Sequence, residues 1–396
     1  MVQAEANNPQ LQAARRSIAV AEAGTTIADV GPNPRLALDA PVGLAETKRT
    51  FSLEQPFELG GKREARLNLA RNQVRAAQLQ LDILRWRIRG DVRQAYAELA
   101  IAQAARRQVE RTVELAQQLV EIARKRLAAG DVAEADLIQV RFVLERTRQR
   151  LEPTANRIRQ ATIRLDTLLG EPTDDSIEPS DRRVFSLSVE ENRIAPEAPQ
   201  AIPDLKVLKA LAQEHRLDLS LAALQQRLSD DQLTLARAGQ IPNISLATGF
   251  TWDPANQTTA ALLGLRIDLP IFNPRQGEVN QAIATRSLAE VQRKVMERQV
   301  EQEVAAAYAD ARTAERLLKQ DRMVLLPQAE KVLDLARKSY QFGQTGLGEV
   351  LIAQQSVQDQ RDAYYNDVLA YQTALGSLER AVNQPLASYS DAPTTP

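Results

Sequence analysis

Residues Lys62–Ala128 read KREARLNLARNQVRAAQLQLDILRWRIRGDVRQAYAELAIAQAARRQVERTVELAQQLVEIARKRLA, and apolar or small side chains recur in them every three or four positions. The series runs Leu67, Ala70, Val74, Ala77, Leu81, Leu84 and Ile88, resumes after Gly90 at Val92, Ala95, Leu99 and Ala102, and continues through Val109, Val113, Ala116, Val120, Ala123 and Leu127. Arg106 is its one break. This spacing predicts a single coiled-coil helix of roughly 100 Å at ~1.5 Å per residue, where an average globular helix has ~10–14 residues. From Leu81 through Leu84 and Ile88 to Val92 the pattern is an eleven-residue repeat, which relaxes a left-handed supercoil. The many alanines suit close approach of neighbouring helices.

The 396 residues carry 50 Lys+Arg against 51 Asp+Glu, 4% aromatics and no cysteine. Balanced charge gives no field that would gather nucleic acid or anionic lipid. Without cysteine, neither disulfides, thiolate metal sites nor a lipid-attachment cysteine are expected. No run of ~18 apolar residues exists, so no transmembrane helix is predicted. The opening MVQAEANNPQ has neither the basic region nor the apolar core of a signal peptide, which suggests a cytosolic protein or a mature or trimmed form.

Before the long helix, a helix is predicted from Gln3 to about Asp29, with Leu11, Ala14, Ile18, Ala21 and Thr25 on one face and Pro32 and Pro34 stopping it. Period-two alternation follows, with Leu36, Leu38, Ala40 and Val42 against Arg35 and Asp39. Past a turn at 43–48, Phe51, Leu53, Phe57 and Leu59 oppose Ser52 and Glu54, with Gln55 as a polar break. Gly60-Gly61 opens the long helix and Gly130 stops it. A helix over 133–169 is expected to bend at Pro153, and a proline-rich, acidic connector fills 171–203.

The programme then repeats. A helix from Asp204 to Ala238 ends before Pro242, and Ile244, Leu246, Phe250 and Trp252 alternate with Asn243, Ser245 and Thr251. Leu263, Leu265, Ile267, Leu269 and Ile271 then oppose Arg266 and Asp268. Asn273-Pro274 opens a second long helix over 275–342, Gly343 stops it, and a last helix runs to about Asn383, followed by a disordered tail at 386–396. Landmarks recur at a near-constant offset: Pro34 and Pro242 (208), Pro56 and Pro270 (214), Tyr96 and Tyr308 (212), Gly130 and Gly343 (213), Pro172 and Pro385 (213). The chain therefore reads as a duplication of about 210 residues, with repeats at 1–170 (hairpin 32–59) and 204–385 (hairpin 242–272).

In each repeat the two shorter helices together match the long one in length, so they are expected to stack end to end beside it. The hairpins supply four strands, too few to close a barrel, and their open apolar edges would aggregate. One aliphatic and aromatic face against one bearing Arg, Asp, Ser and Asn is the pattern of a transmembrane barrel strand, with a half-buried soluble sheet as the competing reading. Three chains would give twelve strands. The expected fold class is mainly α with a β-barrel portion: duplicated helix–β-hairpin–long helix–helix units trimerising into a 12-stranded barrel continued by a coiled-coil tunnel.

The chain resembles the TolC-like outer-membrane efflux proteins of Gram-negative bacteria over essentially its whole length. The duplicated plan carries the resemblance together with NNPQLQAARRSIAVAEA at 7–23, QPFELGGKREAR at 55–66, QAYAELA at 94–100, AAAYADA at 305–311, RLAAGDVAEADLIQV at 126–140 and SYQFGQTGLGEVLIAQQ at 339–355. It implies a homotrimer with its barrel in outer-membrane lipid and its helical tunnel in the periplasm. It also implies a periplasmic membrane-fusion adaptor and an inner-membrane pump of RND or ABC type as partners. The chain itself would be a passive exit duct, with no enzyme activity, no cofactor and no nucleic-acid partner. Within the family, QPFELGGKR is most similar to the CzcC-like branch, which implies heavy-metal cations as cargo. Multidrug efflux and type I protein secretion are alternatives on the same fold; a soluble coiled-coil scaffold is the alternative of another class.

No catalytic constellation is present. The only histidine, His215, stands in QEHRLD without ligand partners, and one histidine with three methionines cannot build an imidazole- or thioether-rich metal site. The helix tips hold the candidate aperture and adaptor-docking residues: Gly130, Asp131 and Asp136 in the first repeat, Gly343, Gly346 and Glu349 in the second. Glycine permits the left-handed reversal, and carboxylates at the next helix start suit its dipole. In a trimer each carboxylate would also become a ring of three that concentrates cations. Arg35, Asp39, Glu54, Arg266 and Asp268 are expected to face a wet barrel lumen, with mixed sign and weak selectivity. Gly60-Gly61 and Asn273-Pro274 are expected to bend strand into helix.

Overall fold

The computed structural model describes residues 2–39, 48–171 and 202–386. The body of the expected connector, the turn at 43–47 with Ala40 and Val42, and the tail beyond Leu386 lie outside these residues. The elements are α1 (Val2–Asn7), α2 (Pro9–Asp29), β1 (Arg35–Asp39), β2 (Arg49–Phe57), α3 (Lys62–Ala128), α4 (Glu134–Gln149) and α5 (Leu151–Leu169). Then come α6 (Leu205–His215), α7 (Leu217–Gly239), β3 (Ile244–Asp253), β4 (Thr258–Ile267), α8 (Gln276–Gln320), a π turn (Asp321–Leu325), α9 (Leu326–Gln341) and α10 (Leu347–Val382). The helix–hairpin–long helix–helix order thus occurs twice.

Contacts group the chain into two units, each drawing on both halves of the sequence. The first comprises Met1–Leu11, Leu84–Arg216 and Val300–Pro396, the second Gln12–Ile83 and Leu217–Gln299. On α3 the division falls between Ile83 and Leu84, inside the eleven-residue step. Burial along α3 follows the predicted stripe at Ala70, Leu81, Ile88, Val92, Ala95, Leu99, Ala116, Val120 and Ala123. Between Leu99 and Ala116, Gln108 and Thr112 are buried while Val109 and Val113 are half-buried, so the seam there sits one position over.

Three predicted helices are interrupted. The helix over 133–169 breaks at Arg150 rather than at Pro153. A proline ring collides with the carbonyl four residues back, here that of Gln149, so the interruption lies a turn upstream of the proline itself. The first helix breaks at Asn8, whose buried Oδ1 accepts the N–H groups of Gln10 (2.9 Å) and Leu11 (3.3 Å), with Pro9 as first helical residue. The helix over 204–238 breaks at Arg216, which takes extended backbone.

These last two breaks correspond between the repeats, both within the first unit. Asn8 and Arg216 stand at the offset of Pro34 and Pro242. Asn8 Nδ2 donates to the Leu168 carbonyl at 2.9 Å, and an Arg216 Nη donates to the carbonyl of Ala381, the counterpart of Leu168, at 3.1 Å. The ends of α5 and α10 are likewise matched left-handed caps, Gly170 (φ 74) and Asn383 (φ 56). A Cβ on Gly170 would lie 2.4 Å from the Asn7 carbonyl oxygen. Asn383 tolerates the backbone because its Nδ2 donates to the corresponding carbonyl, that of His215, at 3.1 Å.

The second long helix departs from α geometry where the first does not. The Leu326 N–H donates to the Asp321 carbonyl, five residues back. Pro327 has no N–H and would strike the Met323 carbonyl. Moreover, the offset between halves rises from 212 at Tyr308 to 213 at Gly343, so the stretch between these two landmarks holds one residue more than its counterpart between Tyr96 and Gly130. A π turn absorbs that residue and keeps Leu318 before it and Tyr340 after it both buried.

In the second unit β1–β2–β3–β4 form one antiparallel sheet in sequence order. β2 ends at Phe57 and β4 at Ile267, so the alternation expected to continue at Leu59, Asp268, Leu269 and Ile271 lies beyond the strands, while β4 begins earlier than expected, at Thr258. The turn into α3 uses Gly60 and Gly61 at φ 75 and 72. In the equivalent turn the left-handed residue is Arg275 (φ 55), after Asn273-Pro274, supported by its N–H on Asn273 Oδ1 at 3.0 Å.

Candidate functional site: the two-faced sheet and the helix tips

Cross-strand partners share a face, so the register assigns every side chain. Leu38 faces Phe51, Phe51 faces Phe250, Leu53 faces Thr248, Leu246 faces Leu265 and Ile244 faces Ile267. These side chains, apolar but for Thr248, form one face that no helix of the described residues shields from solvent: Leu38 is 69%, Phe250 48%, Leu263 80% and Leu265 73% exposed. Phe51 and Phe250 stack at 5.2 Å, and Arg49 lies 5.3 Å over Trp252 at one end. The opposite face carries Arg35, Asp39, Thr50, Ser52, Glu54, Ser245, Gly249, Thr251 and Arg266, with Ala37, Pro56, Ala247, Ala260 and the exposed Leu262 among them.

Four of the five expected lumen residues are therefore on one face. Arg35 is the direct partner of Glu54, and Arg266 forms a hydrogen-bonded ion pair with Glu54 across β3. Asp39 faces Thr50. Asp268 lies past the end of β4. β3 and β4 are 10 residues each and β2 is 9, the ~9–11 a tilted strand needs to cross a bilayer. Among the described residues no helix is long and apolar enough to do so.

Residues at the strand-to-helix turn, singled out only as a resemblance string, hold that turn. Arg66 grips Glu58 through both oxygens, Nη1–Oε1 at 2.5 Å and Nη2–Oε2 at 2.8 Å. Arg63 Nε donates to the Asp29 carbonyl at 2.7 Å, and Lys62 Nζ to that of Ile241 at 2.6 Å. The hydrogen bond from Arg66 holds the Glu58 carboxyl below its ordinary value against an opposing effect of burial.

In the first unit the two helix tips pack together. Leu137 and Val140 of α4, Leu347 and Val350 of α10, Tyr340 of α9 and Ala123 of α3 share one buried cluster. Both tips close by the same cap: Gly130 (φ 80) with Asp131 N–H on the Arg126 carbonyl at 2.9 Å, and Gly343 (φ 74) with Gln344 N–H on that of Ser339 at 2.8 Å. Gly346 has ordinary extended backbone and open space at its Cβ position, so the turn does not require glycine there. Asp131 and Glu349 are exposed and Asp136 is half-buried. Asp136 and Glu349 occupy the first turns of α4 and α10.

Among the described residues no group of three His, Cys, Asp or Glu, these carboxylates included, could hold a metal. The residues missed at the tips are Arg126 and Tyr340. Their signal was weak: one basic side chain among several in a last turn, and one aromatic before a glycine.

A family model for the outer membrane efflux protein matches residues 1–171 and 208–384. The chain belongs to this family. It is an outer-membrane efflux channel protein, and its family is one of channels rather than enzymes. The cobalt-zinc-cadmium resistance protein CzcC of Cupriavidus metallidurans is 26% identical over 365 residues, covering 91% of this chain and 83% of CzcC. The nickel and cobalt resistance protein CnrC of the same species is 26% identical over 290 residues, covering 69% of this chain and 63% of CnrC. Among solved structures, the outer membrane protein VceC of Vibrio cholerae shares the fold with a TM-score of 0.75 and 21% identity, over 97% of this chain and 95% of VceC.

Proposed function

We propose that three copies of this chain join their sheets edge to edge into a 12-stranded outer-membrane barrel and act as the passive exit duct of a tripartite efflux system for heavy-metal cations. The observation that carries this reading is the uncovered apolar face of a four-stranded sheet with two open edges. Leaving a Leu, Ile or Phe side chain in water forfeits roughly 1.5–3 kcal/mol each, so this face calls for lipid, and the edges of β1 and β4 call for further strands. The other face, with Arg35, Asp39, Glu54 and Arg266, would then line the lumen, with Asp268 at its rim. The similarity to CzcC and CnrC supports metal cations as cargo.

The two halves, 1–170 and 204–385, are duplicated repeats joined by the 171–203 connector. At the tips, Gly130, Asp131, Asp136, Gly343, Gly346 and Glu349 form the periplasmic aperture and the surface that meets a membrane-fusion adaptor, itself coupled to an RND-type pump. Native mass spectrometry and planar-bilayer recording of the detergent-purified protein test the proposal together. A three-chain particle that conducts is expected; a monomer that stays monodisperse without detergent would overturn it.

A further inference from the structure

Asp321, the first residue of the π turn, is 6% exposed, and its Oδ2 receives no N–H or O–H donor among the described residues. The group within hydrogen-bonding reach is the carboxyl of Asp367 on α10. Two carboxylates offer acceptors only, so a hydrogen bond between them requires a proton on one. Burial, the hydrogen bond with Asp321 and the Asp321 charge all push Asp367 above the ordinary 3.8.

Asp321 and Asp367 stand near Leu318 and Val368 in sequence, two members of an apolar cluster that also holds Ile101 of α3 and Tyr371 and Leu375 of α10. The charge that reaches Asp367 is that of Asp321. Arg322 follows on the π turn, and Tyr364 and Tyr371 lie one turn to either side of Asp367. Ions that flank the cluster residues in sequence have partners of their own: Glu98 with Arg164 (2.7 Å), Arg106 with Glu110 (3.0 Å) and Arg361 with Glu330 (2.6 Å).

We propose that Asp321 and Asp367 form a proton-binding clasp that fixes the π turn to α10 while they share one proton and releases it when that proton is lost. The π turn is the point where one extra residue and Pro327 already interrupt α geometry, so it is the natural hinge for α9, which carries Tyr340 to the helix tip. The sign follows from linkage. The closed clasp binds its proton up to a higher pH than the open one. Opening therefore rises by up to tenfold per pH unit between the ordinary aspartate value and the raised one, then levels off. An acidic medium closes the clasp. The inference stands on this pair alone and does not depend on the cargo or the barrel.

Hydrogen–deuterium exchange of the full chain in detergent, followed over 318–330 from about pH 4 upward and corrected for intrinsic exchange, reads the opening directly. The wild type should lose protection as pH rises from the ordinary aspartate value to the raised one, and then level off. Asp367→Asn supplies a permanent N–H donor and should hold its protection across the range, with Asp321→Asn as a second variant should the first not fold. Infrared difference spectra between wild type and Asp367→Asn at the same pH should show one protonated carboxyl band that the variant lacks. A pH-independent wild type, or an Asn variant that keeps the wild-type slope, would overturn the clasp.

Discussion

The Arg126 guanidinium lies 4.6 Å from the ring centre of Tyr340, and its Nη1 donates to the Tyr340 carbonyl oxygen at 2.8 Å. One side chain thus ties the end of α3 to the end of α9, two helices that belong to different halves of the sequence. Tyr340 is 1% exposed. Burial raises its hydroxyl above the ordinary 10.0, with Arg126 opposing and Asp136 adding to the rise. Asp136, in the first turn of α4, therefore also acts on this junction electrostatically.

Arg126→Ala should loosen the tips. It removes a cation–π contact worth ~0.5–2 kcal/mol and a charged hydrogen bond worth ~1.5–3 kcal/mol. The expected readout is faster hydrogen exchange in 339–350 and a larger single-channel conductance. Arg126→Lys, which keeps the charge and loses the planar stack, should fall between; behaviour equal to Ala would mean that charge contributes nothing.

Gly60→Ala should destabilise the second unit by about 1–3 kcal/mol. The backbone is left-handed, and a Cβ would meet Ile241 Cδ1 at 2.6 Å. Thermal unfolding of Gly60→Ala and of the double variant with Ile241→Ala separates the two causes: the second change should restore the steric share only. Full restoration would show that the backbone conformation is unstrained.

Charge on the two sheet faces should be tolerated unequally. Leu265→Lys places an ammonium on the apolar face and should cost ~2–4 kcal/mol of folding in a bilayer. Ala247→Lys, on the polar face directly opposite Glu54, should cost little. Urea titration in lipid vesicles compares them, and equal costs would contradict a lipid-facing apolar side.

Two carboxylates should shift stability with pH in opposite directions. Glu58 is held below its ordinary 4.5, so its contribution is present above that value and lost as pH falls through the depressed one. Asp367 is raised, so its contribution is present in acid and lost as pH rises. Glu58→Gln should flatten the acid limb of the melting-temperature profile, and Asp367→Asn the limb above it.

Neutralising the tips with Asp136→Asn and Glu349→Gln together should lower the cation preference of the reconstituted channel, because a ring of carboxylates raises local cation concentration. Reversal potentials under a salt gradient measure it. An unchanged preference would leave these carboxylates only their favourable place in the first-turn helix dipoles.

Patterns carried by neighbouring residues determined much of this protein in advance. The continuous helix from Lys62 to Ala128, the left-handed stops at Gly130 and Gly343, and the division of strand residues into two faces follow from spacing and from glycine's freedom, both local properties. The break at Asn8 was equally local, since Asn-Pro is a cap and a first helical residue. Other features rest on partners far along the chain. Arg216 breaks a helix to reach Ala381 and Glu303, Arg126 finds Tyr340, and Asp321 meets Asp367. The π turn was half legible: Pro327 and the one-residue change of offset were both present, but only folding decided where that residue would be absorbed. Spacing along one segment fixes which face a side chain occupies; which partner waits there depends on how distant segments pack, and packing alone decided it.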